Sequence, residues 1–299
     1  MGLVLQHEFL GGGTRLKTYN LLVMNIDKMF LEGDMKASKK TKSAMSYLAK
    51  KQVSVVLVTN QSFSYAKKIA RNLKVDSMMI AHGGALISDT NQNEWYNRPL
   101  SLESTLDLCH VLERFDCEVK LQYGDYCASI RPQHKQTLLA RMSFNSPGEQ
   151  ILYPLTYVDS LYEHVLKEGK GPLNVGLKCE EEKDLAYICE TLKEEIPDLT
   201  VTYTNKGECF VVGAGAEKER ALQWLVNKDQ LSLDQIVVVG AGHEDAEMVA
   251  MAGLGVAMGD APQTVQEKAN WVTRTTEQDG LAYMVHEVFR KQLNIQMKE

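Results

Sequence analysis

The sequence predicts an α/β protein whose parallel-sheet core is interrupted by a second unit of mixed α+β type. Three observations lead to this prediction. Short apolar segments typical of strands alternate with amphipathic segments typical of helices, at the spacing of βαβ units. The apolar segments are nearly continuous, as expected for strands that are covered on both faces. The alternation stops near residue 90 and returns near residue 210, so one α/β unit is split by an insertion.

The first part of the α/β unit follows a predicted loose tail, residues 1–18, which contains a run of glycines. Ser38 is a suitable N-cap for the first helix, because its hydroxyl can accept a hydrogen bond from the first turn. The predicted elements are a strand at 20–26, a helix at about 38–51, a strand at 53–59, a helix at about 62–73 and two short strands around a glycine turn at 77–89.

The middle of the chain mixes more polar strands with helices, and we therefore predict a separate α+β domain there. Tyr123 to Tyr126 form a hairpin-like turn signal between two alternating segments. The predicted elements are a helix at 101–115, a hairpin-like segment at 117–130, a turn-rich segment at 145–154, a strand at 172–179, a helix at 180–196 and a strand at 199–205.

The α/β pattern then returns and continues to the end of the chain. The predicted elements are a helix at 216–228, a strand at 236–240, a helix at 244–253, a strand at 254–259, a helix from Pro262, a strand at 271–273 and a final helix at about 280–293. The predicted domains are therefore a core made of residues 19–89 and 210–299 and an inserted α+β domain at 90–209.

Composition excludes several classes of function. The net charge of −6 argues against a nucleic-acid footprint, which needs a basic face. No apolar run approaches the roughly 18 residues of a membrane span. The six cysteines include no C-x-x-C pair, which favours reduced thiols over disulfides or zinc. We expect a cytoplasmic protein whose partner is neither nucleic acid nor a membrane.

Four polar segments could carry chemistry, and each follows a predicted strand. They are Asn25–Asp27, Thr59–Asn60, Lys218 at the start of a helix, and Gly240–Asp245. In an open parallel sheet these segments converge at the carboxyl edge, where ligands bind. Taken singly, each also suits an ordinary turn or helix start, so a functional hypothesis depends on the whole set. The last segment begins like a dinucleotide fingerprint, but the carboxylate of Asp245 would oppose a pyrophosphate.

With these segments in this order, the chain resembles the haloacid dehalogenase superfamily, and within it the Cof-type phosphatases with a large α/β cap. The resemblance covers about residues 19–293. The family's D-x-D-G-T motif falls on Asn25–Met29, its strand-final Ser/Thr on Thr59, its helix-initial Lys on Lys218 and its G-D-x-x-N-D motif on Gly240–Asp245. The family's usual sequence near the end of the core is closely matched by residues 252–273, AGLGVAMGDAPQTVQEKANWVT.

The resemblance implies a Rossmannoid core with an inserted cap and hydrolysis of phosphate esters through an aspartyl-phosphate. In the family, the first Asp of the motif attacks phosphorus and the second, here Asp27, acts as acid and base. Thr59, Asn60 and Lys218 take the phosphate-binding positions. Asp245, Gly240 and Gly242 take supporting positions. The family's Mg²⁺ is held by the first Asp, the backbone carbonyl at the position of Asp27 and the acid of the fourth motif.

This chain departs from the family at two of these positions. Asn25 takes the place of the nucleophile, and a neutral carboxamide is a poor nucleophile and a poor ligand for a hard cation. Ala241 takes the place of the metal-binding Asp and supplies no ligand atom. Lys28 and Met29 replace the usual Gly and Thr. Magnesium binding is therefore doubtful here, although Glu244 offers an alternative carboxylate.

Three functional hypotheses follow. The first is an impaired relative of the phosphatases that acts by binding a small phosphorylated ligand or an unknown protein partner. The second is a slow or atypical phosphatase that uses Asp27 as the base. The third is a structural or interaction protein that no longer uses the cleft.

The inserted domain would set ligand choice, and the sequence says less about it. His82, before two glycines, is expected at the edge of the cleft. Six further side chains either line the cleft or belong to the surface and the local core: Trp95, Tyr123, Tyr126, Arg131, His134 and Lys135.

Overall fold

The computed structural model describes residues 18–28, 37–130, 153–179, 181–204 and 207–290. Several sequence predictions fall outside these residues. They are the tail at 1–17, most of the turn-rich segment at 145–154, the end of the final helix at 291–293, and the positions of Met29, Arg131, His134 and Lys135.

The larger of two sheets has eight strands in the order β14-β13-β12-β1-β2-β3-β4-β5. Its strands are β1 Leu21–Asn25, β2 Ser54–Val58, β3 Met78–Ala81, β4 Leu86–Ser88, β5 Glu94–Asn97, β12 Ile236–Gly240, β13 Leu254–Ala257 and β14 Trp271–Val272. Neighbours from β14 to β3 pair in parallel, whereas β4 and β5 add an antiparallel edge. The predicted α/β class is confirmed.

Helices connect these strands. They are α1 Lys39–Lys50, α2 Phe63–Leu73, α6 Lys218–Lys228, α7 Ala246–Met251, α8 Gln263–Lys268 and α9 Gly280–Arg290. Helix α1 begins where predicted, because the Ser38 side chain accepts a hydrogen bond of 3.0 Å from the backbone N–H of Thr41. The Ser62 side chain caps α2 in the same way, and this helix starts directly after the loop that follows β2.

The second sheet has six strands in the order β10-β11-β9-β6-β7-β8. Its elements are β6 Glu118–Gln122, β7 Cys127–Ile130, β8 Leu155–Val158, β9 Asn174–Lys178, β10 Leu199–Tyr203 and β11 Glu208–Gly213, with helices α3 Leu102–Leu112, α4 Leu161–Glu168 and α5 Glu182–Glu195. The predicted hairpin is confirmed, because β6 pairs antiparallel with β7. The sheet and its helices enclose their own cluster of buried apolar side chains.

Strand β1 lies in the centre of the larger sheet, and all five of its residues are buried. Leu21 is in register with Ile236 of β12 on one side and with Ser54 of β2 on the other. Burial of one such aliphatic side chain contributes about 1.5–3 kcal/mol of transfer free energy. The apolar run that opens the sequence pattern therefore fixes β1, and with it the position of the loop at its carboxyl end.

The change between the two sheets does not coincide with the expected boundaries. Strand β5, at 94–97, lies within the range predicted for the inserted domain, yet it pairs with β4 of the larger sheet. Strand β11, at 208–213, extends past the predicted boundary and pairs with β9 and β10. Both strands continue a hairpin that the boundaries cut. The division into two domains with those boundaries remains a prediction.

Four elements, β5, β8, β11 and α4, have no counterpart among the predicted elements. All six cysteines are free thiols. Within the described ranges, none of the helices is long and apolar enough to cross a lipid bilayer.

Candidate functional site

The four polar segments meet at the carboxyl edge of the larger sheet. Strand β1 lies between β12 and β2, with Met24 in register with Val239 and Asn25 in register with Val58. The loops that follow these three strands are therefore neighbours, as the parallel arrangement predicts. Helix α6 brings Lys218 to the same edge, where its side chain is ion-paired with residues of two of these loops.

Asn25 is completely buried, and both polar atoms of its side chain are hydrogen-bonded. Its Nδ2 donates to Oδ1 of Asp245 over 2.6 Å, and its Oδ1 accepts from the backbone N–H of Asp27 over 2.9 Å. These contacts fix the orientation of the amide, with the nitrogen toward the carboxylate. An amide held in this way has no negative charge to direct at phosphorus or at a cation.

Asp245 closes the loop that follows β12. Its Oδ2 accepts hydrogen bonds from the backbone N–H groups of Ala241, at 2.8 Å, and Gly242, at 2.9 Å. Gly240 allows this packing, because a Cβ there would lie 2.7 Å from Cγ2 of Val249 and 2.8 Å from Cβ of Asp245. The supporting positions assigned to Asp245, Gly240 and Gly242 are therefore consistent with these contacts.

Asp27 lies among the groups that take the phosphate-binding positions of the family. Its Oδ1 accepts a short hydrogen bond from the Thr59 hydroxyl, and its Oδ2 accepts one of 2.8 Å from the backbone N–H of Asn60. The same Oδ2 lies 3.6 Å from Nζ of Lys218. Burial raises the pKa of Asp27, whereas Lys218 and the two hydrogen bonds lower it, and the net direction is upward.

Lys218 is the cation of the site, and its side chain is 4% exposed. Its Nζ lies 3.5 Å from Oδ1 of Asp245 and 3.9 Å from Oε1 of Glu244, in addition to Asp27. Nζ has no hydrogen-bond partner among the residues that the structure describes. Burial lowers the pKa of Lys218, but the three carboxylates outweigh burial and the net shift is upward. The ammonium of Lys218 therefore balances the charge of three buried carboxylates.

Glu244 belongs to the cluster of buried charges around Lys218. The sequence pattern did not establish that it would lie there. Its side chain is 3% exposed, and burial is the main cause that raises its pKa to about 7. In the family's fourth motif the corresponding position is an Asn, so a carboxylate appears here three residues after the one that Ala241 lacks. The signal in the sequence was an acidic residue next to Asp245.

The magnesium ion that the resemblance implies does not fit these donors. The Asn25 side chain points its Nδ2, not its oxygen, at Asp245, and Ala241 supplies no ligand atom. Both oxygens of Asp245 accept hydrogen bonds from within the site. Among the described residues, no group of three His, Cys, Asp or Glu side chains is arranged to hold a metal ion. We therefore derive no chemical step that uses a metal.

A cleft of about 190 Å³ opens above these residues and is shared with the second sheet. Its walls include Asn60 and Glu244 from the loops, Lys218 from the start of α6, and Thr200, Thr202 and Val212 from β10 and β11. The second sheet also holds the site directly, because Nδ2 of Asn174 in β9 donates a 2.9 Å hydrogen bond to the backbone carbonyl of Asn60. Asn174 lies inside an otherwise ordinary strand, so no sequence pattern marked it as a residue of the site.

His82 is fully buried, so the expectation that it lies at the edge of the cleft is wrong. Its Nε2 accepts a hydrogen bond of 3.2 Å from the backbone N–H of Phe63, and the backbone N–H of His82 donates to the backbone carbonyl of Gln61 over 2.9 Å. Burial lowers the pKa of His82 to about 3. The ring therefore holds the start of α2, directly after the loop that follows β2, through the backbone of Phe63. With this lowered pKa, the ring is neutral.

The aromatic candidates of the inserted region lie elsewhere. Trp95 is 45% exposed, with Nζ of Lys228 3.9 Å from its ring centroid. Tyr123 and Tyr126 stack on each other with ring centroids 4.8 Å apart. None of these three aromatic residues lines the cleft. Arg131, His134 and Lys135 lie outside the described residues.

Comparison with known proteins gives a consistent result. Residues 22–285 match the family model of the haloacid dehalogenase-like hydrolases. The stress response protein YhaX of Bacillus subtilis is 34% identical over 272 residues, which cover 91% of this chain and 94% of that protein. The 5-amino-6-(5-phospho-D-ribitylamino)uracil phosphatase YcsE of the same organism is 23% identical over 262 residues, 88% of this chain and 92% of that enzyme.

The fold is also found among solved structures. A haloacid dehalogenase-like hydrolase from Bacteroides thetaiotaomicron superposes with a TM-score of 0.76 at 16% sequence identity, covering 91% of this chain and 100% of that one. At this level of identity the likeness concerns the fold.

Proposed function

The chain belongs to the haloacid dehalogenase-like hydrolases, in their Cof-type subfamily, and on that premise we propose that it binds a small phosphorylated ligand in the cleft without hydrolysing it efficiently. Relatives that are phosphatases, such as YcsE, support a function that involves phosphate esters. Members of this superfamily generally use Mg²⁺, but the donors in this chain do not fit that ion.

One observation carries the proposal: the groups that would hold a phosphoryl oxygen are kept, whereas the nucleophile and a metal ligand that would cleave its ester are replaced by Asn25 and Ala241. Nζ of Lys218 and Nδ2 of Asn60 are buried and have no hydrogen-bond partner among the described residues. Both residues line the cleft. A buried amide N–H without a hydrogen-bond partner costs free energy that a ligand oxygen would recover, and the Lys218 ammonium could donate a charge-assisted hydrogen bond to the same ligand.

The nucleophile position supports the second part of the proposal. Asn25 is bound at both polar atoms, so neither atom is available to attack an ester. Loss of a covalent nucleophile normally lowers a rate by several orders of magnitude while binding survives.

Direct attack by a water molecule with Asp27 as base is the competing hypothesis. The raised pKa of Asp27 suits a base. Its carboxylate, however, is engaged by Thr59 and Asn60 and does not line the cleft. We therefore rank ligand binding above slow hydrolysis.

Two measurements on the purified protein test the proposal together. Isothermal titration calorimetry with inorganic phosphate and with phosphorylated metabolites, without added metal, is expected to show saturable binding that disappears in the Lys218→Met variant. Hydrolysis of p-nitrophenyl phosphate with Mg²⁺ is expected to stay at the background level.

Clear Mg²⁺-dependent hydrolysis that disappears in the Asp27→Ala variant would instead establish the slow phosphatase. Absence of binding across the whole panel by the folded wild-type protein would favour a structural or interaction role.

A further inference from the structure

The carboxylate of Asp27 contacts the same three groups that the proposed ligand would need. Oδ1 accepts from the Thr59 hydroxyl, Oδ2 accepts from the backbone N–H of Asn60 over 2.8 Å, and Lys218 faces Oδ2 at 3.6 Å. A hydroxyl, a backbone N–H and an ammonium around two oxygens form a complete set of donors for a small anion. In this structure the anion that occupies this set of donors is the carboxylate of Asp27.

The shape of the cleft agrees with this arrangement. Asn60 and Lys218 line the cleft, whereas Thr59 and Asp27 do not. Asp27 is 5% exposed and Thr59 is completely buried. The Thr59 hydroxyl donates to the Asp27 carboxylate, so a phosphoryl group that enters the cleft cannot accept from that hydroxyl while this hydrogen bond remains.

The charges around Lys218 also favour a phosphate that replaces the Asp27 carboxylate over a phosphate that binds in addition to it. Lys218 already faces the carboxylates of Asp27, Glu244 and Asp245 within 3.9 Å. A phosphate added to these three would place four anions around one buried ammonium, which is unfavourable at low dielectric. If the phosphate replaces the Asp27 carboxylate, the number of anions at Lys218 stays the same.

Movement of the Asp27 side chain does not require the backbone to leave its place. The backbone N–H of Asp27 is held by Oδ1 of Asn25 over 2.9 Å, independently of the carboxylate. A rotation about the Cα–Cβ bond would carry the carboxylate away from Thr59 and keep this contact.

From these observations we infer that the Asp27 side chain is an internal competitor, which occupies the phosphate position and must turn away before a phosphorylated ligand can bind. This inference rests on the proposed function, because it concerns the same site. It assigns Asp27 a role in controlling access, in place of the acid–base role that the family motif implies.

Substitution of Asp27 tests the inference, because the inference expects tighter binding of phosphate. A catalytic or supporting role of Asp27 would not produce tighter binding. Titration calorimetry with inorganic phosphate, without metal, is expected to show binding to Asp27→Ala that is about tenfold tighter than to the wild type, since charge-assisted hydrogen bonds no longer compete. The nearly isosteric Asp27→Asn variant keeps the shape of the turn and is expected to bind several-fold tighter. The double variant Asp27→Ala, Thr59→Val is expected to lose the gain, because the hydroxyl is then missing.

A crystal structure of the wild type with inorganic phosphate provides a second readout. We expect phosphate oxygens on Thr59 Oγ1 and the Asn60 N–H, and the Asp27 carboxylate turned away from both.

The outcomes separate this inference from the proposed function. If the wild type binds phosphate and both Asp27 variants bind it equally or more weakly, the inference is wrong and the proposed function stands. If neither the wild type nor the folded Asp27→Asn variant binds any phosphate compound, the proposed function fails and the inference fails with it.

Discussion

Two halves of the same site differ in what their polar atoms contact. The β1–β12 half consists of Asn25, Ala241 and Asp245, and each polar side-chain atom in it is hydrogen-bonded within the half or to its own loops. The β2–α6 half consists of Thr59, Asn60 and Lys218, and two of its buried donor atoms have no hydrogen-bond partner among the described residues.

This difference has a physical lesson. In the family, the first half supplies the nucleophile and the metal ligands, and the second half supplies the donors to the phosphoryl group. These tasks are carried by different residues on different loops, so one half can lose its chemistry without disturbing the other. An internally satisfied half contributes to stability, whereas a half with unpaired donors is prepared for a ligand.

The largest effect is expected when the family's carboxylates are restored in the β1–β12 half. The double variant Asn25→Asp, Ala241→Asp returns two carboxylates to the β1–β12 half. With Mg²⁺ we expect hydrolysis of p-nitrophenyl phosphate to rise by roughly 10³-fold or more, the scale associated with a covalent nucleophile. A steady-state assay with and without EDTA measures it.

Two controls accompany this variant. Asn25→Asp alone is expected to be less stable without Mg²⁺, because two carboxylates then meet where Nδ2 now donates to Asp245. A folded double variant without activity would show that the β2–α6 half or the cap has also lost the ability to position an ester.

Removal of the cation is expected to damage both halves. Lys218→Met leaves Asp27, Glu244 and Asp245 buried around an apolar side chain. Leaving buried charges uncompensated destabilises by about 3–5 kcal/mol. Urea denaturation followed by circular dichroism measures this change.

Lys228→Met is the matched control, since Lys228 is an exposed residue in the last turn of the same helix. Its effect is expected to stay below about 1 kcal/mol. Equal effects of the two substitutions would mean that the ammonium of Lys218 contributes little to the cluster.

The two halves are expected to respond to acid with opposite sign. His82, below the β2–α6 half, has its pKa lowered to about 3 from an ordinary value of 6.5. The folded ring stays neutral while the unfolded ring takes up a proton, so its contribution is present above pH 6.5 and is lost as the pH falls toward 3. The loss amounts to at most about 1.4 kcal/mol per pH unit.

The His82→Asn variant tests this sign, because Asn tolerates the φ of 52° at this position. Chemical denaturation between pH 4 and 8 is expected to show a shallower loss of stability in acid than for the wild type. His110→Asn, at an exposed position on α3, is the control and is expected to leave the slope unchanged. An unchanged slope for His82→Asn would contradict the prediction.

Glu244, beside the β1–β12 half, is expected to act in the other direction. Its pKa is raised from 4.5 to about 7. Its contribution to stability is therefore fully present below pH 4.5 and is lost as the pH rises through 7. The Glu244→Gln variant should lose less stability between pH 5 and 8 than the wild type in the same denaturation series, and a steeper loss would argue against burial as the cause.

The smallest expected effect concerns the link between the second sheet and the β2–α6 half. Asn174→Ala removes the hydrogen bond to the carbonyl of Asn60, which is worth about 1 kcal/mol. We expect a similar loss of stability, measured by chemical denaturation. We also expect a few-fold weaker binding of phosphate, measured by titration calorimetry. If binding is unchanged while stability falls, Asn174 holds the sheets together without influencing the site.

The sequence predicted the course of the larger sheet because its strands are apolar on both faces and its helices are capped. Leu21 to Asn25 and Ile236 to Gly240 are examples, and the convergence of their loops followed from parallel pairing. Strand β5 was missed because Glu94–Asn97 is polar and largely exposed, and its pairing with β4 depends on the hairpin.

The contents of the site were less predictable than its place. The sequence identified Asn25, Asp27, Thr59 and Lys218 as neighbours, but the direction of each side chain depends on contacts between distant residues. The hydrogen bond from Asn174 to Asn60 spans 114 positions, and that from Asn25 to Asp245 spans 220. No local pattern encodes such contacts, so the orientation of Asp27 and the burial of Glu244 and His82 required the structure.

The central position of β1 has a consequence for biosynthesis. One of its two neighbours, β2, follows closely in the chain, whereas the other, β12, is made much later, after the whole second sheet. Until β12 leaves the ribosome, one edge of a mainly apolar strand is unpaired, and such edges promote association with other chains. The site therefore assembles last, and nascent chains that end before β12 are expected to depend on chaperones.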